Sequence, residues 1–329
     1  MTTVVGYRLL KAIRLRDPFV LPVRREGLYY LYGSTDPNTW KGPGIGFEAY
    51  RSSDLEQWEG PFRAFTPPEG FWGTENFWSP EVHELAGRFI MSATFRGKAG
   101  RGVAILASDH PLGPFLPHSD GAVTPGGWDA LDGTLFVDDE GGYWLVFCHE
   151  WQQSVDGRVC ACRLSKDLRT RVGDPVTLFA ASQAPWSRPL KQGCYVADGP
   201  FLHRSVNGSL LMLWSSFGSF GYCQGVARSA TRGLLGRWDH DEAPLWEADG
   251  GHGMTFRTFG DELKLILHHP NQTPYERALL LDAVERGDGL RLKRQLLPLA
   301  VVIRRFNRGG SRRQKLRFLL RFVLCRVRI

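Results

Sequence analysis

Short apolar runs, each bounded by Gly, Pro, Ser or Asp, fill most of the chain. Such runs are typical of β-strands separated by turns, and helical patterns are scarce among them. Five of the runs open on an acidic residue or a histidine. These openings are Asp17 in RDPFVL, Glu81 in WSPEVHEL, Asp132 in LDGTLFVDD, Asp198 in ADGPFLHR and His252 in HGMTFRTF. The pattern therefore predicts an all-β protein built from a repeated unit.

A second, more hydrophobic run follows each opening within about a dozen residues. Successive openings are 51 to 66 residues apart. A repeat of this length made only of strands is typical of a propeller, in which small antiparallel sheets surround a central channel. The sequence thus predicts a five-bladed β-propeller, with the polar residue of each opening directed into the channel. The partner runs are YYLYGS (29–34), RFIMSATF (88–95), YWLVFCHE (143–150), LLMLWSSF (210–217) and LKLILHHP (263–270).

The formal net charge of +7 is distributed unevenly along the 329 residues. Residues 291–329 contain 13 Lys and Arg and no acidic residue, whereas the remaining chain contains 28 basic and 34 acidic residues. We therefore predict one propeller domain over residues 1–290 and a basic C-terminal tail over residues 291–329. Because nucleic-acid binding needs clustered cations, the mildly acidic body argues against a nucleic-acid partner.

The N-terminal residues lack the apolar run and small-residue cleavage site of a secretory signal, and no stretch reaches 18 apolar residues. We expect no transmembrane segment and a cytoplasmic location. The six cysteines lack the spacing of zinc ligands, and most are expected to be buried thiols. The oligomeric state cannot be read from the sequence.

Three of the five openings are aspartates: Asp17, Asp132 and Asp198. A single aspartate before a strand more often closes a turn, but three at equivalent places in a repeat favour a catalytic role. Carboxylates that share a small cavity raise the pKa of at least one of them, which supplies an acid and a base at the same pH. Hydrolysis of a glycosidic bond with inversion needs such a pair.

The motifs RDPFVL, WSPEVH, LDGTLFVDDEGGYWLVF and DGPFLHR resemble, in this order, those of glycoside hydrolase family 43 over about residues 14–282. This resemblance implies a five-bladed propeller that hydrolyses glycosides with inversion. It also implies that Asp17 is the general base, Asp198 the general acid, and Asp132 the residue that orients the acid and tunes its pKa.

The fourth motif departs from the family, which generally has Glu where Asp198 opens DGP. A carboxyl that is shorter by one C–C bond retreats by about 1.5 Å, and such a misplacement can lower activity on the order of 100-fold. Either the strand lies closer to the substrate, or another carboxylate is the acid, or the activity is weak. The intact Gly199 and Pro200 favour the first alternative.

Four further residues are predicted to bind substrate: Trp78, Glu81, His252 and Phe19. An indole face packs against the C–H face of a sugar, so we expect Trp78 to line the pocket rather than to fill the space between blades. Glu81 could bond a sugar hydroxyl and is the reserve candidate for the acid. His252 resembles the fifth-blade histidine at the base of the family's pocket, although a buried structural role is equally compatible with its position.

The sequence therefore predicts a hydrolase that releases a terminal pentose, α-L-arabinofuranose or β-D-xylose, from plant-derived oligosaccharides. A galactan-active hydrolase, a carbohydrate-binding propeller with weak or no catalysis, and a non-enzymatic scaffold are the alternatives. No cofactor is expected to be obligatory. Calcium takes six to eight oxygen ligands; the sequence shows no such cluster, so a calcium ion would be at most a structural addition.

Overall fold

The computed structural model describes residues 5–190 and 193–293, which form one five-stranded and four four-stranded antiparallel sheets around a central axis. Blade I consists of β2 (Arg16–Val23), β3 (Leu28–Ser34), β4 (Phe47–Ser52) and β5 (Gln57–Phe65), with β1 (Gly6–Leu9) on its outer edge. Blade II consists of β6 (Glu75–Leu85), β7 (Arg88–Gly97), β8 (Gly100–Ser108) and β9 (Leu116–Ala122). Blade III consists of β10 (Ala130–Val137), β11 (Tyr143–His149), β12 (Arg158–Leu164) and β13 (Arg171–Ala180).

Blade IV consists of β14 (Asp198–Arg204), β15 (Leu210–Gly218), β16 (Gly221–Ser229) and β17 (Trp238–His240). Blade V consists of β18 (Gly251–Arg257), β19 (Leu263–His269), β20 (Arg277–Arg286) and β21 (Gly289–Leu292). The helical elements described are α1 (Trp151–Ser154) and two 3₁₀ turns, Leu10–Ala12 and Ala181–Gln183. The predicted five-bladed propeller is confirmed, and the predicted partner runs are the second strands of the blades.

The first strand of every blade lines the axis, and each contacts the first strand of the next blade, including β18 against β2. Among the described residues no strand is shared between the first and last blades; a backbone bridge between Arg14 and Arg277 and side-chain contacts close the ring. Tyr29 stacks on Phe259 at 4.1 Å between ring centroids, and its hydroxyl accepts a hydrogen bond of 2.7 Å from the Phe259 N–H. Arg16 of blade I forms a buried ion pair of 3.1 Å with Glu276 of blade V.

Strand β21 ends at Leu292, so the sheets extend two residues past the predicted domain boundary. Residues 294–329, which contain most of the predicted basic tail, lie outside the described residues, and the tail stays a prediction. Within residues 5–190 and 193–293, no helix has the length and apolar character needed to cross a membrane.

Large aromatic side chains fill the space between neighbouring blades. Between blades III and IV, Trp186 packs on Trp214 with ring centroids 4.8 Å apart, and both are buried. The Trp186 ring lies directly over Gly225 of β16, where an added Cβ would stand 1.9 Å from it. Gly225 therefore provides the space into which this connector tryptophan packs, because interiors at native density have no room for an extra methyl group.

We expect Gly225→Ala to lower the free energy of unfolding by about 1–3 kcal/mol, because overpacking displaces the Trp186 ring. Chemical denaturation followed by tryptophan fluorescence measures the effect. Gly121→Ala is the matched control, since an added Cβ there meets nothing within 4 Å. Equal stability of the two variants would contradict the packing role of Gly225.

Candidate active site

The first strand of each blade contains one extra residue near its start, and that of blade II contains two, seen as shifts in its pairing with the second strand. Such a bulge bends the strand and changes the direction of a side chain. In every blade the first residue of the bulge has a left-handed φ, between 44° and 57°; in blade II this is the second bulge. These five residues form one layer at the end of the channel, and they are Asp17, Ser79, Asp132, Gly199 and His252.

Two of the predicted openings occupy other places in the register. Ser79 stands at the equivalent position in blade II, with Glu81 two residues later, and Gly199 stands there in blade IV, with Asp198 one residue earlier. The prediction that Asp198 occupies the same position as Asp17 and Asp132 is therefore corrected. Hydrophobic alternation does not reveal a one-residue bulge, because the pattern resumes unchanged after it.

A pocket of about 870 Å³ opens at this end of the channel. It brings together Asp17, Asp132, Asp198, Trp78 and His252 of the residues that the sequence analysis selects. The three aspartates come from blades I, III and IV, so only the closed ring of sheets places them in one cavity.

Phe19 and Glu81 do not line this pocket. Both follow the bulge directly, one step deeper along the axis, and both are buried. Phe19 contacts Phe201 across the channel at 6.2 Å between ring centroids, and Glu81 Oε2 lies 3.5 Å from His83 Nε2. The structure thus places these two predicted substrate ligands in the layer that closes the channel beneath the pocket.

Asp17 is held in its charged form by several partners. Ser34 Oγ donates to Asp17 Oδ2 at 2.6 Å, and His252 Nδ1 lies 3.2 Å from Asp17 Oδ1. Burial opposes ionisation, but the charge of His252, the ring of His268 and the neighbouring Arg16 outweigh it. The pKa of Asp17 therefore lies well below its ordinary value.

Asp132 is fixed by hydrogen bonds to residues of blades II and IV. Its Oδ1 accepts 2.8 Å from Ser79 Oγ, and its Oδ2 accepts 3.1 Å from the Gly199 N–H. Its own N–H donates to Thr94 Oγ1 at 2.8 Å. The Gly199 contact ties Asp132 to the strand that carries Asp198, so the two carboxyl groups keep a fixed relation.

Asp198 has the opposite electrostatic surroundings from Asp17. Its carboxyl opens onto the pocket, but the surrounding protein shields it from bulk water, and Tyr222 Oη donates to its Oδ2 at 3.1 Å. Burial and then the negative charges of Asp132 and Glu150 raise the pKa of Asp198 to about 8. Asp198 therefore keeps a proton at neutral pH while Asp17 does not.

His252 stands between two of the carboxylates. Its Nδ1 is 3.2 Å from Asp17 Oδ1 and 3.8 Å from Asp132 Oδ2, and its N–H donates to Ser215 Oγ at 2.7 Å. Burial lowers the pKa of His252, but the carboxylates around it, Asp17 foremost, more than compensate and raise it. The ring also packs on Gly199, where a Cβ would approach it to 2.6 Å.

Several residues of the pocket are not predicted from the sequence. Arg101 and Glu150 form a buried ion pair on its wall, and Arg16, Tyr222 and Asn271 also line it. Glu150 ends the partner run YWLVFCHE, and Arg16 directly precedes Asp17. A charged residue at the end of a strand is the sequence signal that could have identified both as pocket residues. The other residues reach the pocket only through tertiary structure.

Four tryptophans on the connectors and strand ends near the pocket separate into two groups. Trp78 and Trp151 line the pocket, and the Trp78 Nε1–H donates to the carbonyl oxygen of Thr39 at 2.5 Å. Trp72 and Trp186 instead pack in the core between blades.

Calcium was expected only as a structural addition. Among residues 5–190 and 193–293, no three His, Cys, Asp or Glu side chains are grouped so as to hold a metal ion. The donors of the pocket are instead bonded to one another. The calcium ion stays a prediction, and no step of the chemistry proposed for the site depends on it.

We expect Asp198→Asn to stabilise the fold increasingly as the pH rises from about 4 to about 8. The folded pKa of Asp198, about 8, lies above the ordinary value of 3.8, so the wild-type protein loses stability over this range while an amide does not. Calorimetric melting temperatures across this range measure the gain. Asp138→Asn is the control, and it should lower the melting temperature. Hydrogen bonds from Trp144 and the backbone lower the pKa of Asp138, so its charged form stabilises the fold throughout this pH range. A gain for Asp198→Asn that does not change with pH would contradict the assignment.

Comparison with known proteins identifies the family. The family model described as Glycosyl hydrolases family 43 matches residues 10–290. The structure of an endo-arabinase from Bacteroides thetaiotaomicron VPI-5482 is 39% identical with a TM-score of 0.79, and the match covers 85% of this chain and 98% of that one. An extracellular exo-α-(1→5)-L-arabinofuranosidase from Cellvibrio japonicus (strain Ueda107) is 24% identical over 316 residues, 88% of this chain and 84% of the relative. An endo-1,4-β-xylanase from Bacteroides thetaiotaomicron VPI-5482, 24% identical, shares the fold with a TM-score of 0.70 over 88% of this chain and 97% of that one. The chain therefore belongs to glycosyl hydrolases family 43.

Proposed function

We propose that the protein hydrolyses α-L-arabinofuranosyl bonds in short oligosaccharides, with inversion at the anomeric carbon. The observation that carries the proposal is the pair of unlike carboxyl groups in one pocket, Asp17 charged and Asp198 protonated at neutral pH. The sequence alone is compatible with both arabinofuranose and xylose. The endo-arabinase, at 39% identity, and the exo-arabinofuranosidase favour arabinofuranose.

Asp17 is the proposed general base. Its carboxylate accepts a proton from a water molecule while the oxygen of that water bonds to the anomeric carbon. The pKa of Asp17 is low because His252 beside it is positively charged, and so weak a base suffices because the oxygen of the attacking water becomes strongly acidic as it bonds to the anomeric carbon. The imidazolium then fixes the position of Asp17 and excludes its protonation before substrate binds.

Asp198 is the proposed general acid. It gives its proton to the glycosidic oxygen as the bond to the anomeric carbon breaks, and it is left as a carboxylate. Burial and the charges of Asp132 and Glu150 keep the proton on Asp198 before this step, because a third buried negative charge beside them is unfavourable. After turnover, one proton returns from Asp17 to Asp198 through solvent, and both residues are restored.

The side chain of Asp198 is one methylene shorter than the family's Glu, and residues outside its own strand hold it in position. The Tyr222 hydroxyl and the Gly199–Asp132 contact hold it from two sides. A carbohydrate-binding propeller without turnover is the second candidate, and the replacement of the family's Glu by Asp is the observation that favours it. The predicted cytoplasmic location stays a prediction.

Replacing the two carboxyl groups should have different consequences. We expect Asp17→Asn to lower kcat/KM at least about 100-fold on every arabinofuranoside, since all need an activated water. Asp198→Asn should lower it similarly for arabinobiose but much less for a 2,4-dinitrophenyl arabinofuranoside, whose leaving group needs no proton. The wild-type kcat/KM should decline as the pH passes about 8, and this decline should be absent in Asp198→Asn. Equal losses on both substrates would remove Asp198 from the role of acid.

The stereochemistry of the product provides an independent test. Proton NMR during hydrolysis of an aryl α-L-arabinofuranoside should show the β anomer first, before mutarotation, because water attacks opposite to the leaving group. The α anomer as first product would contradict inversion. Binding of arabino-oligosaccharides with no product from any aryl pentoside would favour the second candidate.

A further inference from the structure

Four side chains form a continuous wall on one side of the pocket, named here the Arg–Trp wall: Arg16, Trp40, Trp78 and Arg101. The guanidinium carbon of Arg16 lies 4.9 Å from the ring centroid of Trp40, and that of Arg101 lies 4.6 Å from the ring of Trp78. The two indoles meet edge to face at 5.5 Å. Cation–π and edge-to-face contacts of this kind hold aromatic rings in fixed orientations.

Both ends of the Arg–Trp wall are anchored in the same way, each by a carboxylate and an asparagine. Arg16 pairs with Glu276 at 3.1 Å and donates to Asn271 Oδ1 at 2.8 Å. At the other end, Arg101 pairs with Glu150 and donates to Asn76 Oδ1 at 3.4 Å. Both arginines are buried, so the wall cannot rearrange without breaking buried ion pairs.

Trp40 is the member of this wall that faces solvent, with 52% of its surface exposed. It is nevertheless held in place, because its Nε1–H donates to Thr273 Oγ1 of blade V at 2.9 Å. The loop that carries it is fixed by Asp36, whose carboxylate accepts hydrogen bonds from the backbone N–H groups of Asn38, Ile45 and Gly46. A large apolar ring kept rigid and exposed at a pocket is a preorganised binding surface, because little conformational entropy is lost on contact.

The position of Trp40 separates it from the chemistry. Trp40 contacts buried Arg16 and is half exposed, whereas Asp17 and Asp132 of the bulge layer are buried within the same pocket. A sugar ring seated on the carboxyl groups therefore cannot also use the exposed part of Trp40. A second sugar unit of the same chain can, since the C–H face of a furanose packs on indole and its hydroxyls meet polar groups such as Thr273 and Asn271 at the rim.

We propose that Trp40 is a subsite for a second sugar unit, beyond the unit whose bond is cleaved, and that it sets a preference for oligosaccharides over single glycosides. This inference rests on the proposed function of the pocket. The ligand is a neutral arabinofuranosyl oligosaccharide of at least two units. Trp78, which is more buried than Trp40, continues the same wall toward the carboxyl groups.

The test compares arabinotriose with an aryl arabinofuranoside in the wild type, Trp40→Ala and Trp40→Phe. Trp40→Ala should lower kcat/KM for arabinotriose about tenfold more than for the aryl glycoside, mainly through KM, because the contact with the second unit is lost. Trp40→Phe, which keeps an aromatic face, should recover most of the preference. Tyr7→Ala is the control, since Tyr7 is an exposed aromatic residue on β1 outside the pocket.

Equal losses of kcat/KM on the two substrates would overturn the subsite. They would show that Trp40 instead affects the general base, Asp17, through Arg16. No loss on either would overturn it as well. If the wild type hydrolyses neither substrate, the proposed function fails, and calorimetry with arabinotriose then decides the inference. Binding that weakens about tenfold or more in Trp40→Ala supports the subsite in that case, whereas absence of binding to the wild type overturns it.

Discussion

The extra residue at the start of each inner strand is the constraint on which the site depends. It forces five residues into left-handed backbone geometry in one layer, and a regular strand could not direct the side chains of Asp17, Asp132 and His252 together. The layer then holds itself together across blades: the Ser79 N–H donates to Ser34, Ser34 donates to Asp17, and Asp132 accepts from both Ser79 and Gly199. The positions of the carboxyl groups are thus set by the backbone of the whole ring.

From this arrangement follows an unequal distribution of protons. Asp17 lies beside His252 and Arg16, whereas Asp198 lies beside Asp132 and Glu150, and burial strengthens each interaction. The Arg–Trp wall connects the two regions, because Arg16 is one of its ends and the partner of Glu150, Arg101, is the other. The wall that is proposed to bind sugar is therefore built from charges that also influence the carboxyl groups.

The sequence predicts the fold well because strand pattern and turn residues are local signals, and the repeat shows how many sheets they form. It also leads to Asp17, Asp132 and Asp198, through motifs that resemble the family. A one-residue bulge leaves the alternation unchanged, so Ser79 and Gly199 are not recognised as members of the layer, and Glu81 and Phe19 are expected in a pocket that lies one step above them. Glu150 follows a second strand, Tyr222 lies on a third strand and Trp40 on a connector, and only the closed ring brings them to the site.

The central claim is that Asp198 carries a proton at neutral pH while Asp17, in the same pocket, does not. Neutron diffraction from a deuterated crystal at neutral pD observes this directly, because deuterium on a carboxyl oxygen is visible. The account predicts density for deuterium on an Asp198 oxygen, none on Asp17, and a doubly protonated His252 ring. A protonated Asp17 together with a bare Asp198 carboxylate would contradict it.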